Sequence, residues 1–316
     1  MSIIEKLKKK ILLSVLLAIA VIALLLIYAD ISETAYYLLS FQLSYIPFIV
    51  ALTILNYLLR FLKWDYYLSV LGIKVKKTDS AIVFLSGFTM SVTPGKLGEI
   101  LKSYLLKQMD NISMSITAPI IFAERLTDVI GLVILASFGA MLFDDGMIVL
   151  VGVLVCIAAV LFVIQSRRLS LNIIGYGERI TPVSRFTHYL HQSYESAFQL
   201  LGSKPLFLTT ALSVVSWSCE CLAMWYVLKG FGIDTSLIFA TSTYAFSSLA
   251  GALSMLPGGL GVAEGSIVGI LQTSGISKSI ATSSALLIRL CTLWLGVFIG
   301  ASTLFIFRKK FEDNET

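Results

Sequence analysis

The sequence predicts an all-α protein, a polytopic bundle of membrane-spanning helices, and three observations support that fold class. Of the 316 residues, 57% are hydrophobic and only 14% are charged, whereas soluble domains carry about 25% charged residues to solvate their surfaces. The apolar residues form runs of about 20, the helix length that crosses a bilayer core. No polar stretch is long enough to fold alone, so we predict a single transmembrane domain over residues 1–316.

Six apolar runs are candidates for spanning helices. They cover residues 11–28, 45–71, 115–142, 146–164, 205–228 and 279–305. The first run follows a lysine-rich segment and superficially resembles a signal peptide. Because it is long enough to cross a bilayer and no small-x-small cleavage site follows it, we expect an uncleaved first span.

Two further apolar stretches, 80–107 and 236–273, are interrupted by Pro-Gly near the middle. Each is too short for two full spans and a turn, so we predict two re-entrant helical hairpins that enter the membrane and return on the same side. Irregular backbone is tolerated at membrane depth where protein or a water-filled cavity surrounds it.

The basic residues predict the orientation, because lysine and arginine are enriched on the cytoplasmic side of a membrane protein. Most of those that flank the predicted spans fall on one side, among them Lys63, Lys74, Lys76, Lys77, Lys102, Lys107, Arg167, Arg168, Arg308, Lys309 and Lys310. We therefore expect a cell-membrane protein with both termini in the cytoplasm. The polar link 165–204 has helical periodicity and is predicted to form an amphipathic helix on the cytoplasmic surface.

A repeat relates the two halves of the chain. Residues 91–98 read SVTPGKLG, and residues 254–261 read SMLPGGLG. Two further matches flank this motif, Leu71-Gly72-Ile73 with Phe231-Gly232-Ile233 and Arg125-Leu126 with Arg289-Leu290. We assign repeat one to residues 11–142 and repeat two to residues 146–305. Each copy makes an odd number of crossings, so the second copy is predicted to be inverted.

The repeated Pro-Gly break is the first candidate site. Proline ends the incoming helix and glycine permits the turn. The next half-helix begins at the break, so its free N–H groups and the positive end of its dipole face the break. Two such breaks and Lys96 would suit a phosphate or a carboxylate. A packed helix that is merely kinked is the alternative, although the recurrence of the motif favours a site.

Ionisable residues inside the predicted spans form the second group of candidates, because a charge in the hydrocarbon region needs a cavity or a partner. They are Glu99, Glu124, Arg125, Asp128, Glu220, Glu264 and Arg289, together with Arg60 in the second span. Two interpretations stay open for them. They form either a polar cavity that accepts a charged headgroup or buried ion pairs that fix the register of the helices.

Sequence signatures of catalysis and metal binding are missing. The sequence has no Gly-rich nucleotide loop, no zinc-ligand spacing and no nucleophile elbow. His188 and His191 have no third ligand nearby, and the basic residues lie beside apolar spans rather than in a nucleic-acid-binding patch. We therefore expect no enzymatic activity, no cofactor, no metal and no nucleic-acid partner.

Three motifs occur in order along the chain: Thr93-Pro-Gly-Lys-Leu-Gly-Glu99, Glu124-Arg-Leu-Thr-Asp128 and Leu256-Pro-Gly-Gly-Leu-Gly-Val-Ala-Glu264. Together they resemble the lysylphosphatidylglycerol synthase transmembrane family, also called flippase-like. The resemblance implies a role in moving lipids between leaflets, or beside glycosyltransferases that act on polyprenyl-linked sugars. The synthases carry a soluble transferase domain after the spans, so this chain is not expected to make lysylphosphatidylglycerol by itself.

Carried over motif by motif, the resemblance implies a substrate site at Pro94, Gly95, Lys96, Gly98, Glu99, Glu124, Arg125, Asp128, Pro257, Gly258, Gly259, Gly261 and Glu264. Glu220 and Arg289 complete the predicted site because both are ionisable residues within spans.

We thus predict a flippase or scramblase-like transporter of an anionic phospholipid or a polyprenyl-phosphate-linked lipid. Two alternatives remain, an ion-coupled secondary transporter of a small anion and a non-transporting membrane partner of a glycosyltransferase. The expected partners are the membrane lipid as substrate and a lipid-modifying enzyme or glycosyltransferase, and the prediction allows a homodimer.

Overall fold

We describe a computed structural model of the chain over residues 3–93, 99–142, 146–178 and 187–312. Within these ranges all regular secondary structure is helical, as predicted. The helices are α1 (Ile3–Ala29), α2 (Ile31–Leu39), α3 (Ile46–Val70), α4 (Lys77–Gly87), α5 (Leu101–Asp110), α6 (Met114–Ser137), α7 (Gly146–Gln165), α8 (Arg167–Glu178), α9 (Thr187–Leu200), α10 (Ser203–Gly230), α11 (Leu237–Leu253), α12 (Val262–Thr273), α13 (Lys278–Arg289), α14 (Leu295–Ile306) and α15 (Arg308–Glu312).

Long apolar helices confirm that the protein is a membrane-embedded helical bundle. Four of them are long and apolar enough to span a bilayer: Leu43–Val70, Gly146–Gln165, Ser203–Gly230 and Lys278–Ile306. Residues Val15–Ala29 and α2 are bent by 99° at a short break and together make a fifth candidate. The sharp bend at Asp30 therefore lies just after the predicted first span, residues 11–28.

α6, the predicted third span, has the length of a span but not its composition. Its 24 residues extend for about 36 Å, enough to cross a hydrocarbon core of about 30 Å. However, Glu124, Arg125 and Asp128 lie within it, and Glu124 and Asp128 are buried. The charges of α6 therefore face protein rather than lipid, as expected for ionisable residues inside a membrane bundle.

The turns that follow α3 and α10 have the same conformation, and the sequence repeat aligns these two turns with each other. Gly72 has φ +69° and Gly232 has φ +76°, so each supplies the left-handed residue that ends a helix. Ile73 N donates to Leu68 O at 2.9 Å, and Ile233 N donates to Leu228 O at 3.0 Å. The Leu-Gly-Ile and Phe-Gly-Ile triplets thus form the same turn in both halves.

α3 and α10, which occupy equivalent places in the repeat, pack against each other in antiparallel orientation. Near one end, Gln42 N donates to Gly230 O at 3.1 Å. Further along, Asn56 Nδ2 donates to Ser216 O at 2.7 Å, and Lys63 Nζ donates to Ser213 Oγ at 2.8 Å. Residue numbers rise along one helix as they fall along the other, which is the relation that an inverted repeat requires.

Each half of the chain packs its final span against the hairpin of the other half. α6 lies against α10 and α11, and α14 lies against α4 and the 3₁₀ turn Phe88–Met90. Glycine allows the second crossing to be close, because a Cβ at Gly300 would lie 2.9 Å from Leu85 O. The described helices of the two hairpins are therefore held in one bundle, and Gly258 and Gly259 of the second break are buried inside it.

The second break has a defined backbone. α11 ends at Leu253, a 3₁₀ turn covers Pro257–Gly259, and α12 begins at Val262 and packs back on α11. Gly258, Gly259 and Gly261 all have positive φ, which glycine adopts without steric cost. The predicted helix break is thus present. Re-entry on one face of the membrane remains a prediction.

The first break lies between Phe88–Met90 and Leu101, and its residues 94–98, including the predicted Pro94, Gly95, Lys96 and Gly98, fall outside the described part of the chain. The polar link contains two helices, α8 and α9, where the sequence predicted one. α9 packs on α6.

Candidate functional site

The predicted charged residues of the first half lie together. Arg125 Nη2 donates to Glu99 Oε2 at 2.6 Å, and Arg125 Nη1 lies 3.5 Å from Asp128 Oδ2. Glu99 comes just after the first break, and Arg125 is in the middle of α6. The pair therefore links the final span of this half to its break.

Two lysines complete this cluster, and the sequence interpretation of both was wrong. Lys63 and Lys102 were expected at the cytoplasmic ends of spans, yet they are 1% and 3% exposed. Lys63 Nζ lies 2.5 Å from Asp128 Oδ1, and Lys102 Nζ pairs with Glu124 and lies 4.5 Å from the centre of the Trp64 ring. The positive-inside rule counts lysines near span ends and carries no information on which of them face the core.

The second half repeats the arginine–glutamate pair. Arg289 Nε donates to Glu264 Oε1 at 2.6 Å, and Arg289 Nη2 donates to Gly258 O at 2.5 Å. Glu264 Oε2 also accepts from Gly261 N at 2.7 Å and so caps α12. The partners are 25 residues apart here and 26 in the Glu99–Arg125 pair. Glu264 and Arg289 thus hold the last span against the second break.

The two breaks are neighbours in the core. A Cβ at Gly258 would lie 3.5 Å from Val92 Cα and 3.5 Å from Val92 Cγ1. Val92 belongs to the first break and is two residues before Pro94. A Cβ at Gly259 would lie only 2.9 Å from Gly251 Cα, so this turn is closed by direct backbone contact.

Glu220, the remaining predicted site residue, lies on α10. Its Oε2 atom accepts from the Tyr244 hydroxyl at 2.5 Å. Tyr57, on the equivalent helix α3, donates to Thr292 O in the last span. These tyrosines are further polar groups of the core that sequence reasoning did not select. Tyrosine is common at apolar surfaces, so no spacing marked them.

A cavity of about 200 Å³ lies beside the Glu264–Arg289 pair, between α1, the second break and the last span. Apart from this pair its walls are apolar: Ala18, Val21, Ile22, Leu260, Leu286, Leu290 and Trp294. Leu290 is 59% exposed, so the cavity reaches the outer apolar surface of the bundle. The cavity therefore has a polar end, where Arg289 can bind an anion, and apolar walls that suit a hydrocarbon chain.

A second cavity, of about 390 Å³, lies between α9 and the ends of α3 and α6. It is lined by polar side chains of α9, including His188, His191 and Glu195. Among the described residues, no group of three or more His, Cys, Asp or Glu side chains is arranged to hold a metal ion.

The fold and this site define a multi-pass helical membrane protein with paired charges beside two helix breaks. The chain belongs to the family of the lysylphosphatidylglycerol synthase TM region, whose family model matches residues 11–300. The predicted family is thereby confirmed.

Several archaeal relatives are similar over most of their length. The chain is 26% identical over 226 residues to a UPF0104 membrane protein of Methanocaldococcus jannaschii, covering 71% of this chain and 95% of the relative. It is 24% identical over 287 residues to a UPF0104 membrane protein of Methanothermobacter thermautotrophicus, covering 82% and 84%. A UPF0104 membrane protein of Pyrococcus horikoshii is 22% identical over 317 residues, covering 91% and 94%.

Proposed function

We propose that this protein is a flippase or scramblase-like transporter, which moves an anionic phospholipid or a polyprenyl-phosphate-linked lipid between the leaflets of the cell membrane. The observation that carries the proposal is the cavity beside the second break. It combines apolar walls with the buried Glu264–Arg289 pair. A ligand that fills such a space has a charged headgroup and an apolar tail.

Arg289 supplies the headgroup partner. Its guanidinium is planar and has five donors, of which Nε and Nη2 already bind Glu264 and Gly258. A lipid phosphate matches this fork in the same bidentate way as a carboxylate. We propose that the phosphate binds the donors of Arg289 that Glu264 and Gly258 leave free, so that the buried Glu264 carboxylate keeps its cation.

The walls distinguish a lipid from a soluble anion. A small hydrophilic anion gains nothing from contact with Val21, Leu286 or Trp294, whereas an acyl or prenyl chain meets there an environment as apolar as the bilayer that it comes from. Because Leu290 lines the cavity and is exposed on the outer surface, the tail can remain in the bilayer while the headgroup enters. This feature favours lipid transport over ion-coupled uptake of a small anion.

The repeat gives the headgroup a second position. Arg125 and Glu99 pair beside the first break as Arg289 and Glu264 pair beside the second, and the breaks are adjacent. We propose that the two copies are inverted, that each pair is accessible from one leaflet, and that the headgroup passes between them. The antiparallel contact of α3 with α10 supports the inversion.

Leaflet exchange in liposomes tests this function. We expect the reconstituted wild-type protein to expose inner-leaflet fluorescent phosphatidylglycerol to an external quencher, while protein-free liposomes keep it protected. A parallel set of liposomes with an imposed proton or sodium gradient is offered labelled inorganic phosphate. Gradient-dependent accumulation of phosphate without lipid exchange would contradict the proposal and support the small-anion transporter.

A further inference from the structure

Arg60 lies at the centre of the protein-facing side of α3 and yet is not fully buried. An α-helix turns by about 100° per residue, so that, viewed down the axis of α3, Arg60 lies between Asn56 on one side and Tyr57 and Trp64 on the other. These three residues are 0%, 6% and 0% exposed. The lipid-facing side of the same helix carries Leu58 and Leu62, which are more than half exposed. Arg60 itself is half-buried. Its exposed surface therefore faces the interior of the bundle and not the lipid.

Arg60 also differs from the other cations of the core in its partners. Lys63, Lys102, Arg125 and Arg289 each pair with a carboxylate. Arg60 forms no ion pair within the described ranges of the chain, although its charge attracts the more distant Asp128 carboxylate, and its guanidinium contacts an aromatic ring. Its Cζ atom lies 5.4 Å from the centre of the Phe88 ring, in the 3₁₀ turn that leads into the first break.

This environment leaves the hydrogen-bonding edge of the guanidinium available. A ring below the cation contributes a favourable cation–π contact without using any of its five donors. The Phe88 ring is in turn held by Tyr57, with ring centres 4.7 Å apart. A cation kept inside a membrane bundle without an anionic partner is costly, and such residues mark ligand and ion pathways.

The position has no cationic counterpart in the other half. Arg60 and Glu220 each come twelve residues before the matching glycines Gly72 and Gly232, so they occupy equivalent positions in α3 and α10. The charge is reversed between them. An anion position at Arg60 therefore has no equivalent at Glu220 in the second half.

We infer that Arg60 binds the phosphate of the ligand. This inference deepens the proposed function and rests on it. The phosphate group belongs either to a lipid headgroup or to a free phosphate ion, since both present the same oxygen atoms to the guanidinium. In the lipid case Arg60 receives the headgroup beside Phe88, in the 3₁₀ turn Phe88–Met90.

Ligand-dependent thermal unfolding of the purified chain in an uncharged detergent tests the inference. The protein is titrated with phosphatidylglycerol, with diacylglycerol, which lacks the phosphate, and with inorganic phosphate. We expect phosphatidylglycerol to raise the unfolding midpoint of the wild type and diacylglycerol to leave it unchanged. In Arg60→Gln the half-maximal lipid concentration should rise roughly ten-fold or more, as expected for loss of a charge-assisted hydrogen bond.

Two further variants make the result decisive. Arg168→Gln removes an exposed arginine of α8 and should titrate like the wild type. Arg60→Lys keeps the charge and loses the planar fork, so it should lie between the wild type and Arg60→Gln. Without ligand, Arg60→Gln should unfold at the same or a higher temperature, since it removes an unpaired charge. A lowered midpoint, or unchanged lipid titration, would show that Arg60 has a structural role and overturn the inference.

The remaining outcomes separate this inference from the proposed function. Lipid binding that depends on Arg60, without leaflet exchange in liposomes, would keep the site and refute the transporter. Leaflet exchange with no phosphate-dependent stabilisation of the wild type would keep the transporter and refute the site. Stabilisation by inorganic phosphate alone, again lost in Arg60→Gln, would keep Arg60 as an anion site and assign it a free ion in place of a lipid.

Discussion

At the scale of single residues, four of the described interior cations, Lys63, Lys102, Arg125 and Arg289, are each paired with a carboxylate. The ammonium group of Lys63 is surrounded by acceptors, with Asp128 Oδ1 at 2.5 Å and Ser213 Oγ at 2.8 Å. These contacts join three helices, because Lys63 is on α3, Asp128 on α6 and Ser213 on α10. Removing one member of such a buried pair is more damaging than removing both, since a lone charge is left without water.

The Lys63–Asp128 pair provides a stability prediction. We expect Lys63→Met to lower the free energy of unfolding by about 3–5 kcal/mol, because Asp128 loses its nearest cation. The double variant Lys63→Met with Asp128→Leu should recover part of this loss, because Arg125 keeps its contact with Glu99. Unfolding of the purified variants in detergent measures both effects.

Lys77→Met is the matched control for this prediction. Its amine also pairs with an aspartate, Asp65, but its side chain is 73% exposed. Exposed pairs contribute little, so the change should be at most about 1 kcal/mol. Equal destabilisation by Lys63→Met and Lys77→Met would contradict the buried-pair account.

The sequence located some of these residues and missed others for a physical reason. Glu99, Arg125, Glu264 and Arg289 stand out because they are ionisable within apolar runs or follow the Pro-Gly motif, and the structure brings them together as two pairs. Lys63 lies close enough to the end of its run to look like an orientation residue. Only the packing of α3 against α6 and α10 shows that it is buried.

At the scale of helices, glycine sets the distance between the two halves. Gly300 of α14 faces the end of α4, where an added Cβ would lie 2.9 Å from Leu85 O. Backbone atoms cannot move aside as the end of a flexible side chain can. α14 would therefore have to shift away from the first hairpin if any side chain stood at this position.

Gly300→Ala tests this close approach. We expect it to lower the free energy of unfolding by about 1–3 kcal/mol, the usual cost of overpacking, despite the better helix propensity of alanine. Gly269→Ala is the control, since Gly269 is also inside a helix but has open space at its Cβ position. It should be neutral or stabilising by about 0.5–1 kcal/mol. Destabilisation by Gly269→Ala alone would refute the packing argument.

Some local features of the helices could be predicted from the sequence and others could not. The Leu-Gly-Ile and Phe-Gly-Ile triplets were matched as parts of the repeat, and the structure shows that both form the same turn around a left-handed glycine that ends a helix. No sequence pattern indicated the π-helical segment Leu290–Trp294, which follows Arg289 directly. Just after this segment Gly296 allows a close approach to α3, because an added Cβ there would lie 2.8 Å from the Tyr57 hydroxyl.

At the scale of the whole molecule, two related halves are joined through their breaks. Equivalent helices α3 and α10 pack antiparallel, each half lays its last span on the other half's hairpin, and Val92 meets Gly258 where the breaks adjoin. The crossing count predicts an inverted second copy, a prediction that the antiparallel packing of α3 and α10 supports. The count could not predict the apolar cavity, which depends on α1 lying over the second break.

The central claim is that the two arginine–glutamate pairs form the headgroup path, and leaflet exchange by charge-neutral double variants tests it most directly. Arg289→Gln with Glu264→Gln, and Arg125→Gln with Glu99→Gln, each remove a pair without leaving its partner unpaired, and Arg168→Gln is the matched control. Phosphatidylglycerol exchange should fall at least about ten-fold in either double variant, a loss of ~1.4 kcal/mol of headgroup interaction, and stay at the wild-type rate in the control. Wild-type exchange in both double variants, with folding intact, would contradict the account.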